Sequence, residues 1–254
     1  MNTMYDATAY DEMMFTSARI ESIMYQVTFN PKTRAGDIIA NVSLVDKKNL
    51  EESLEIFRQV MYSGLSVCSY VKILDENEQY LDLTIPAGKT GIATACSITI
   101  DGVLLKSGIP VRPKFGGIVQ VKDREPIRFT DVINYNCTTI DPLEVLMSQD
   151  LTSVRDMTRT GTGKILANFR EVPMSSKDEV DHIINRLLTA GFYGILEVGE
   201  PNSPVLGAGV DRDHMGIIIT GGTNPMAAVQ EAGIPIKTKA IKGVMDFREM
   251  KKLV

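Results

Sequence analysis

Apolar positions in this chain recur at two spacings, every second residue and every third to fourth, and the two spacings alternate along its length. From Arg19, the residues Ile23, Tyr25, Val27 and Phe29 alternate with Met24, Gln26 and Thr28, which predicts a strand that stops at Asn30-Pro31. Gly36 to Ser43 reads as a buried strand, and Asp46 is placed to cap a helix whose Leu50, Leu54, Phe57 and Met61 share one face before Gly64. Leu65 to Ile73 predicts a second strand, and Leu81, Leu83 and Ile85 alternate after a turn at Asp75 to Glu78. A strand from Gly91 to Ala95 leads into a helix through Val103 and Leu104 that ends at Gly108, and an extended run follows from Ile109 to Val121.

The same order then returns. Gly163 to Arg170 matches Gly36 to Ser43, and Ala190-Gly191-Phe192 matches Ser63-Gly64-Leu65, both 127 positions apart. Met215 to Ile219 matches Thr90 to Thr94, and Ala232 to Ile236 matches Ser107 to Val111, both 125 positions apart. Matched landmarks in one order predict an internal duplication. In the second copy, Ser176 and Glu179 have the spacing of a capping box ahead of Val180, Ile183, Ile184 and Leu187. Each copy reads strand, helix, strand, strand, helix, strand, the split βαβ order of ferredoxin-like domains. The expected fold is therefore α+β, with two tandem ferredoxin-like halves packed face to face. The expected divisions are a loosely held segment over 1–18, a first half over 19–121, a polar connector over 122–160 lying across the seam, and a second half over 161–254. The alternative is one continuous mixed sheet without a seam.

Composition narrows the class. With 44% apolar and 23% charged residues, the chain has the balance of a soluble globular protein. The sequence offers neither a membrane-spanning run nor a signal peptide, so a cytoplasmic location is expected. Cys68, Cys96 and Cys137 are odd in number and far apart, which gives no disulfide framework and no metal-binding spacing. A net charge of −5 disfavours direct nucleic-acid binding, and Lys237, Lys239 and Lys242 read as a solvated face.

Several stretches carry candidate chemistry. Gly161-Thr162-Gly163-Lys164 lacks the spacing and the hydroxyl residue of a phosphate loop and reads as a turn. Gly221-Gly222-Thr223-Asn224-Pro225 follows a strand and enters a helix with Asn224 as the expected cap, and its counterpart is Ala95-Cys96-Ser97-Ile98-Thr99. Helix starts of this kind suit an anion. Lys114, Gly116 and Gly117 combine a cation with glycines that permit close approach; Ser153 and Arg155 offer a hydroxyl and a planar carboxylate partner. A small anion held in the seam is expected to meet Cys96, Ser97 and Thr99 on one side and Cys137, Thr138, Thr139, Ser153 and Arg155 of the connector on the other. His182 and His214 fit no catalytic or metal-binding arrangement, although a cysteine nucleophile at Cys96 or Cys137 remains an alternative.

The runs Gly36 to Leu44, Cys96 to Gly117, Asp141 to Val145, Thr152 to Asp156, Gly163 to Glu171 and Gly221 to Pro225 resemble the regulatory domain of the NrpR family, nitrogen-responsive transcriptional repressors of methanogenic archaea. The resemblance extends from about Arg19 to Phe247. It implies a non-catalytic effector domain that binds 2-oxoglutarate, uses no cofactor or metal, and relieves repression of nitrogen-assimilation genes. Operator recognition commonly uses two-fold symmetry, so a homodimer or higher oligomer is expected. The family's winged-helix domain has no room in the roughly 20 residues before the first strand, so DNA contact is expected through a separate domain or a partner subunit. The rival readings are an enzyme acting on a small carboxylate through a cysteine and an amino-acid-binding module of the ACT kind.

Overall fold

A computed structural model describes residues 14–254. The first repeat forms β1 (Asp37–Asp46), α2 (Leu50–Tyr62), β2 (Tyr70–Leu74), β5 (Lys89–Ala95), α3 (Ile98–Lys106) and β6 (Arg112–Lys122), preceded by α1 (Thr16–Met24) and interrupted by a small hairpin of β3 (Gln79–Tyr80) and β4 (Leu83–Thr84). The connector forms β7 (Glu125–Asn134), α4 (Pro142–Ser148) and α5 (Val154–Thr160). The second repeat forms β8 (Gly163–Pro173), α6 (Lys177–Ala190), β9 (Ile195–Val198), β10 (His214–Thr220), α7 (Asn224–Glu231) and β11 (Ile236–Asp246), with a short β12 (Lys251–Lys252) behind it.

The duplication is visible in backbone as well as in pattern. The helices α2 and α6 both end where a glycine adopts a left-handed conformation, Gly64 at φ 74° and Gly191 at φ 93°, which a side chain would resist. Both helices bury one apolar face, Leu54, Phe57, Val60 and Met61 in α2 and Val180, Ile183, Ile184 and Leu187 in α6. The predicted side-chain caps are absent: Asp46 and Ser176 make no capping hydrogen bond, and each helix is entered through a short 3-10 turn instead.

Hydrogen bonding does not follow the repeats. One five-stranded sheet has the order β11-β1-β5-β2-β12 and the other β7-β6-β8-β10-β9. The last strand of each repeat lies against the first strand of the other, with Val45 opposite Ile236 and Val121 opposite Gly163. The second helix goes with it: α3 packs beside α6, and α7 beside α2. Each ferredoxin-like unit therefore takes strand, helix and two strands from one repeat and a helix and strand from the other. The chain divisions at 121/122 and 160/161 mark repeats of sequence, and each packed unit draws on both sides of them. Exchange lets α3 and α7 cover apolar strand faces of the opposite repeat, so two cores close, one around α3 and α6 and one around α2 and α7.

Two other expectations are corrected. The segment from Arg19 to Phe29 is not a strand; α1 occupies Thr16–Met24, because Thr16, Ile20 and Met24 recur at helical spacing and are the positions it buries. Tyr25, which completed the alternating pattern, points into solvent. The connector is not a bare polar link, since β7 extends the second sheet by pairing with β6. The loosely held segment proposed for 1–18 falls for the most part outside the described residues.

Candidate functional site

Exchange forces the chain to cross from one unit to the other twice. It leaves β5 through Cys96-Ser97 into α3, and leaves β10 through Gly221-Gly222-Thr223 into α7. The two crossings touch: a Cβ on Gly222 would lie 2.8 Å from the Ala95 carbonyl oxygen and 2.9 Å from Asn41 Nδ2. Only glycine lets the backbones pass at that distance.

A small cavity of mixed lining sits at this contact: Asn41, Ser97, Tyr135, Asp141, Asn168 and Thr223 are its polar side chains, and Cys96, Gly222 and the apolar Ile98, Leu143, Ala240 and Ile241 complete its wall. Its free volume of about 10 Å³ is space for one water at most. Asn41 and Asn168 are buried polar residues in otherwise apolar central strands, and both are fixed by hydrogen bonds. Asn41 Oδ1 accepts from Ile241 N at 3.1 Å. Asn168 Nδ2 donates to Ser97 Oγ at 3.1 Å, and its Oδ1 accepts from the Tyr135 hydroxyl. Asp141 Oδ1 caps α4 by accepting from Leu143 N at 2.9 Å and Glu144 N at 3.2 Å.

Both crossing helices start at the cavity, with Ser97 and Thr223 at their cap positions, and neither side chain caps its own helix. Thr223 Oγ1 is buried with no hydrogen-bond partner. Two helix starts with partial positive charge, amide donors and the unpartnered Thr223 hydroxyl form an arrangement that suits a small anion. Burial pushes the Cys96 thiol up to about 12, which favours its neutral form. Burial, reinforced by the nearby Glu144 charge, raises Asp141 to about 6.

The expected site residues are scattered over the molecule. Cys96 and Ser97 line the cavity. Thr99 lies in the first turn of α3, where its buried hydroxyl accepts from Ile39 N at 3.0 Å and ties the helix to β1. Lys114 is engaged by Glu171 at 3.2 Å and Asp211 at 2.9 Å, while Gly116 and Gly117 admit Pro142 and the Asp131 backbone against β6. Cys137 and Thr139 are exposed, and Thr138 closes a local turn with Ile140. Ser153 Oγ accepts from Lys164 N at 2.8 Å at the start of α5. Arg155 lines an open outer groove of about 640 Å³ between α2 and α5, with Gln59, Tyr62 and Arg159. The single seam lined by all of these residues is therefore not formed; the Thr138 hydroxyl closes a local turn and the Ser153 hydroxyl holds the start of β8.

The outer groove is larger, but its side chains are solvated and Arg159 is already paired with Asp156 at 2.9 Å. Polar groups at the crossing are desolvated, where each donor counts for more. Sequence reasoning missed Asn41, Tyr135, Asp141 and Asn168, while Thr223 lies in the helix start it had marked as suited to an anion. The repeat itself carried a signal for two of them, because Ala40-Asn41 and Ala167-Asn168 place the same amide in the same buried strand 127 positions apart.

Comparison with known proteins adds an independent line. A family model described as NrpR regulatory domains NRD1 and 2 matches residues 13–252. A global nitrogen regulator NrpRI of Methanosarcina mazei is 38% identical over 99% of this chain and 77% of its own length. The global nitrogen regulator NrpR of Methanocaldococcus jannaschii is 32% identical over 92% of this chain, which spans only 39% of that protein. The crystal structure of a nitrogen repressor-like protein from Methanococcus jannaschii superposes with a TM-score of 0.81 at 29% identity, covering 95% of this chain and 99% of its own.

Proposed function

We propose, given that this chain belongs to the NrpR regulatory-domain family of nitrogen regulators, that it is a non-catalytic sensor whose crossing cavity takes 2-oxoglutarate. The observation that carries this is the meeting of two helix starts, from opposite repeats, at one buried polar pocket. A dicarboxylate needs two anion subsites a few ångströms apart and a donor for its keto oxygen, and the crossing supplies two helix starts with Ser97, Thr223 and two asparagine amides between them.

A cavity that holds at most one water has no room for a five-carbon acid, so binding requires the crossings to part. That requirement turns a binding site into a sensor. A ligand that binds only a parted arrangement shifts the population toward it, whereas equal affinity for both arrangements would shift nothing. In this reading the parted form relieves repression, acting through a homodimer or higher oligomer and through a DNA-binding domain or partner subunit. Of the two cysteines that an enzyme reading would use, burial disfavours Cys96 as the nucleophile.

One observation favours a second reading. Asp141 lines the cavity and would suit the ammonium of an amino acid, as in an ACT-like module. Isothermal calorimetry with 2-oxoglutarate, glutamate and glutamine separates the two. Heat with 2-oxoglutarate alone is expected; binding of glutamate or glutamine in its place selects the amino-acid module.

A further inference from the structure

Beyond the cavity, a second polar contact joins the crossing helix to the opposite repeat. Asp101 stands four residues after Ser97 on α3, a rise of about 6 Å, and Arg170 stands two residues after Asn168 on β8, a rise of about 7 Å. The pairs Ser97 with Asn168 and Asp101 with Arg170 are thus successive rungs of one ladder leading inward from the cavity.

The inner rung is unusual in three respects. Arg170 is among the largest fully buried side chains, and its Nε lies 2.6 Å from Asp101 Oδ1. Beyond that one close contact, Arg170 Nη1 and Asp101 Oδ2 are buried without a hydrogen-bond partner. A guanidinium held for architecture usually meets its carboxylate in a two-bond fork, and a buried pair without that geometry recovers little of its desolvation cost. The duplication also supplies an internal control. Positions equivalent to Arg170 and Asp101 in the other crossing are Ser43 and Met226, both buried, and Ser43 is satisfied by Thr238 at 3.0 Å. The same packed arrangement therefore stands without an ion pair on one side.

We propose that Arg170 is the carboxylate-binding group of this site and that Asp101 occupies the ligand carboxylate's place while the cavity is closed. This rests on the reading of the crossing as the 2-oxoglutarate site and specifies which end of the ligand goes where. The carboxylate distal to the keto group displaces Asp101 from the guanidinium, and the keto-acid end meets the start of α7 at Gly222 and Thr223. A charged subsite on one side only also matches a ligand whose two ends differ.

The test is calorimetry of the whole chain with 2-oxoglutarate and with 2-oxobutyrate, which keeps the keto acid but lacks the second carboxylate. Asp101→Asn, close to isosteric, removes the competitor and is expected to tighten 2-oxoglutarate binding by about tenfold or more. Arg170→Met is expected to weaken it by at least about a hundredfold and to erase the preference for 2-oxoglutarate over 2-oxobutyrate. Unchanged or weaker binding by Asp101→Asn, or a dicarboxylate preference that survives in Arg170→Met, overturns the assignment while leaving the crossing as the site. Should Arg170→Met fail to fold, Asp101→Asn decides alone. Absence of 2-oxoglutarate binding by the unmodified chain removes the site reading and this assignment together.

Discussion

Asn41 and Asn168 occupy the same position of the two repeats and face the two sides of one crossing, but their amides are used differently. Asn41 holds a backbone amide of the exchanged strand, Ile241 N, whereas Asn168 joins two side chains, Tyr135 and Ser97. The first keeps an edge strand in register, and the second ties a connector turn to a helix start. Replacing Asn168 by Ala leaves two buried hydroxyls without their partner, and a loss of about 2 kcal/mol in denaturant unfolding is expected. Asn41→Ala strands one backbone donor and is expected to cost about as much. A loss below about 0.5 kcal/mol in both would show that neither amide holds the crossing.

Close approach at Gly222 gives a sharper test of the crossing itself. An added methyl would press on the Ala95 carbonyl at 2.8 Å, a backbone atom that cannot step aside. Gly222→Ala is expected to destabilise the chain by about 2 kcal/mol or more. Gly209→Ala, at an exposed position where nothing lies within 4 Å, is the control and is expected to stay within about 0.5 kcal/mol of the parent.

Exchange of the last helix and strand predicts how the chain fails when cut. A fragment ending at residue 121 keeps β1 without β11 and carries β6 without β8. Fragments 1–121 and 122–254 are expected to be largely unfolded apart, by circular dichroism and amide dispersion, and to regain structure when mixed. A cooperative unfolding transition in either fragment alone, as a monomer, would contradict the exchanged topology.

The order and type of most elements were legible in the sequence because the repeat states them twice. Gly64 and Gly191, Gly108 and Gly233, and the paired strand runs each confirm one another. Which sheet the last strand of each repeat would join was not legible, since Ile236 to Asp246 carries the same pattern whether it pairs with β8 or with β1. Register between distant strands is set by packing of whole layers, which periodicity does not encode. The same limit explains the site. Cys96 and Ser97 were found because they mark a helix start, but Asp141, Tyr135 and Thr223 become neighbours only through the exchange. Connector hydroxyls such as Thr138 and Ser153 read as ligand donors in the sequence, and in the fold they bond locally to backbone, Thr138 to Ile140 and Ser153 to Lys164 N, a use that polar residues near helix starts and turns commonly have.

Acidity at the crossing predicts an unusual slope of stability with pH. Asp141, with an ordinary value of 3.8, is raised to about 6 in the folded chain by burial first and the Glu144 charge second. Between those values the folded state holds a proton that the unfolded state has released, so stability falls as pH rises from about 4 to 6. Asp101, also raised to about 6 by burial against the opposing pull of Arg170, adds in the same direction. Asp141→Asn, which can still cap α4, is expected to flatten that slope and to gain up to about 3 kcal/mol at pH 7 relative to the parent. A parent whose stability rises across that range, with no change in slope for the variant, would contradict the assignment.

Thr223 offers the most direct measurement of whether the crossing is where 2-oxoglutarate binds. Its buried hydroxyl has no partner in the closed form, so Thr223→Val removes an unsatisfied group and is expected to leave stability equal or raise it by about 1 kcal/mol. In calorimetric titration with 2-oxoglutarate, the parent is expected to bind one molecule per chain and Thr223→Val to bind at least about tenfold more weakly, with Arg155→Ala in the outer groove unchanged. Undiminished binding by Thr223→Val together with loss in Arg155→Ala would move the site to the outer groove and contradict the account.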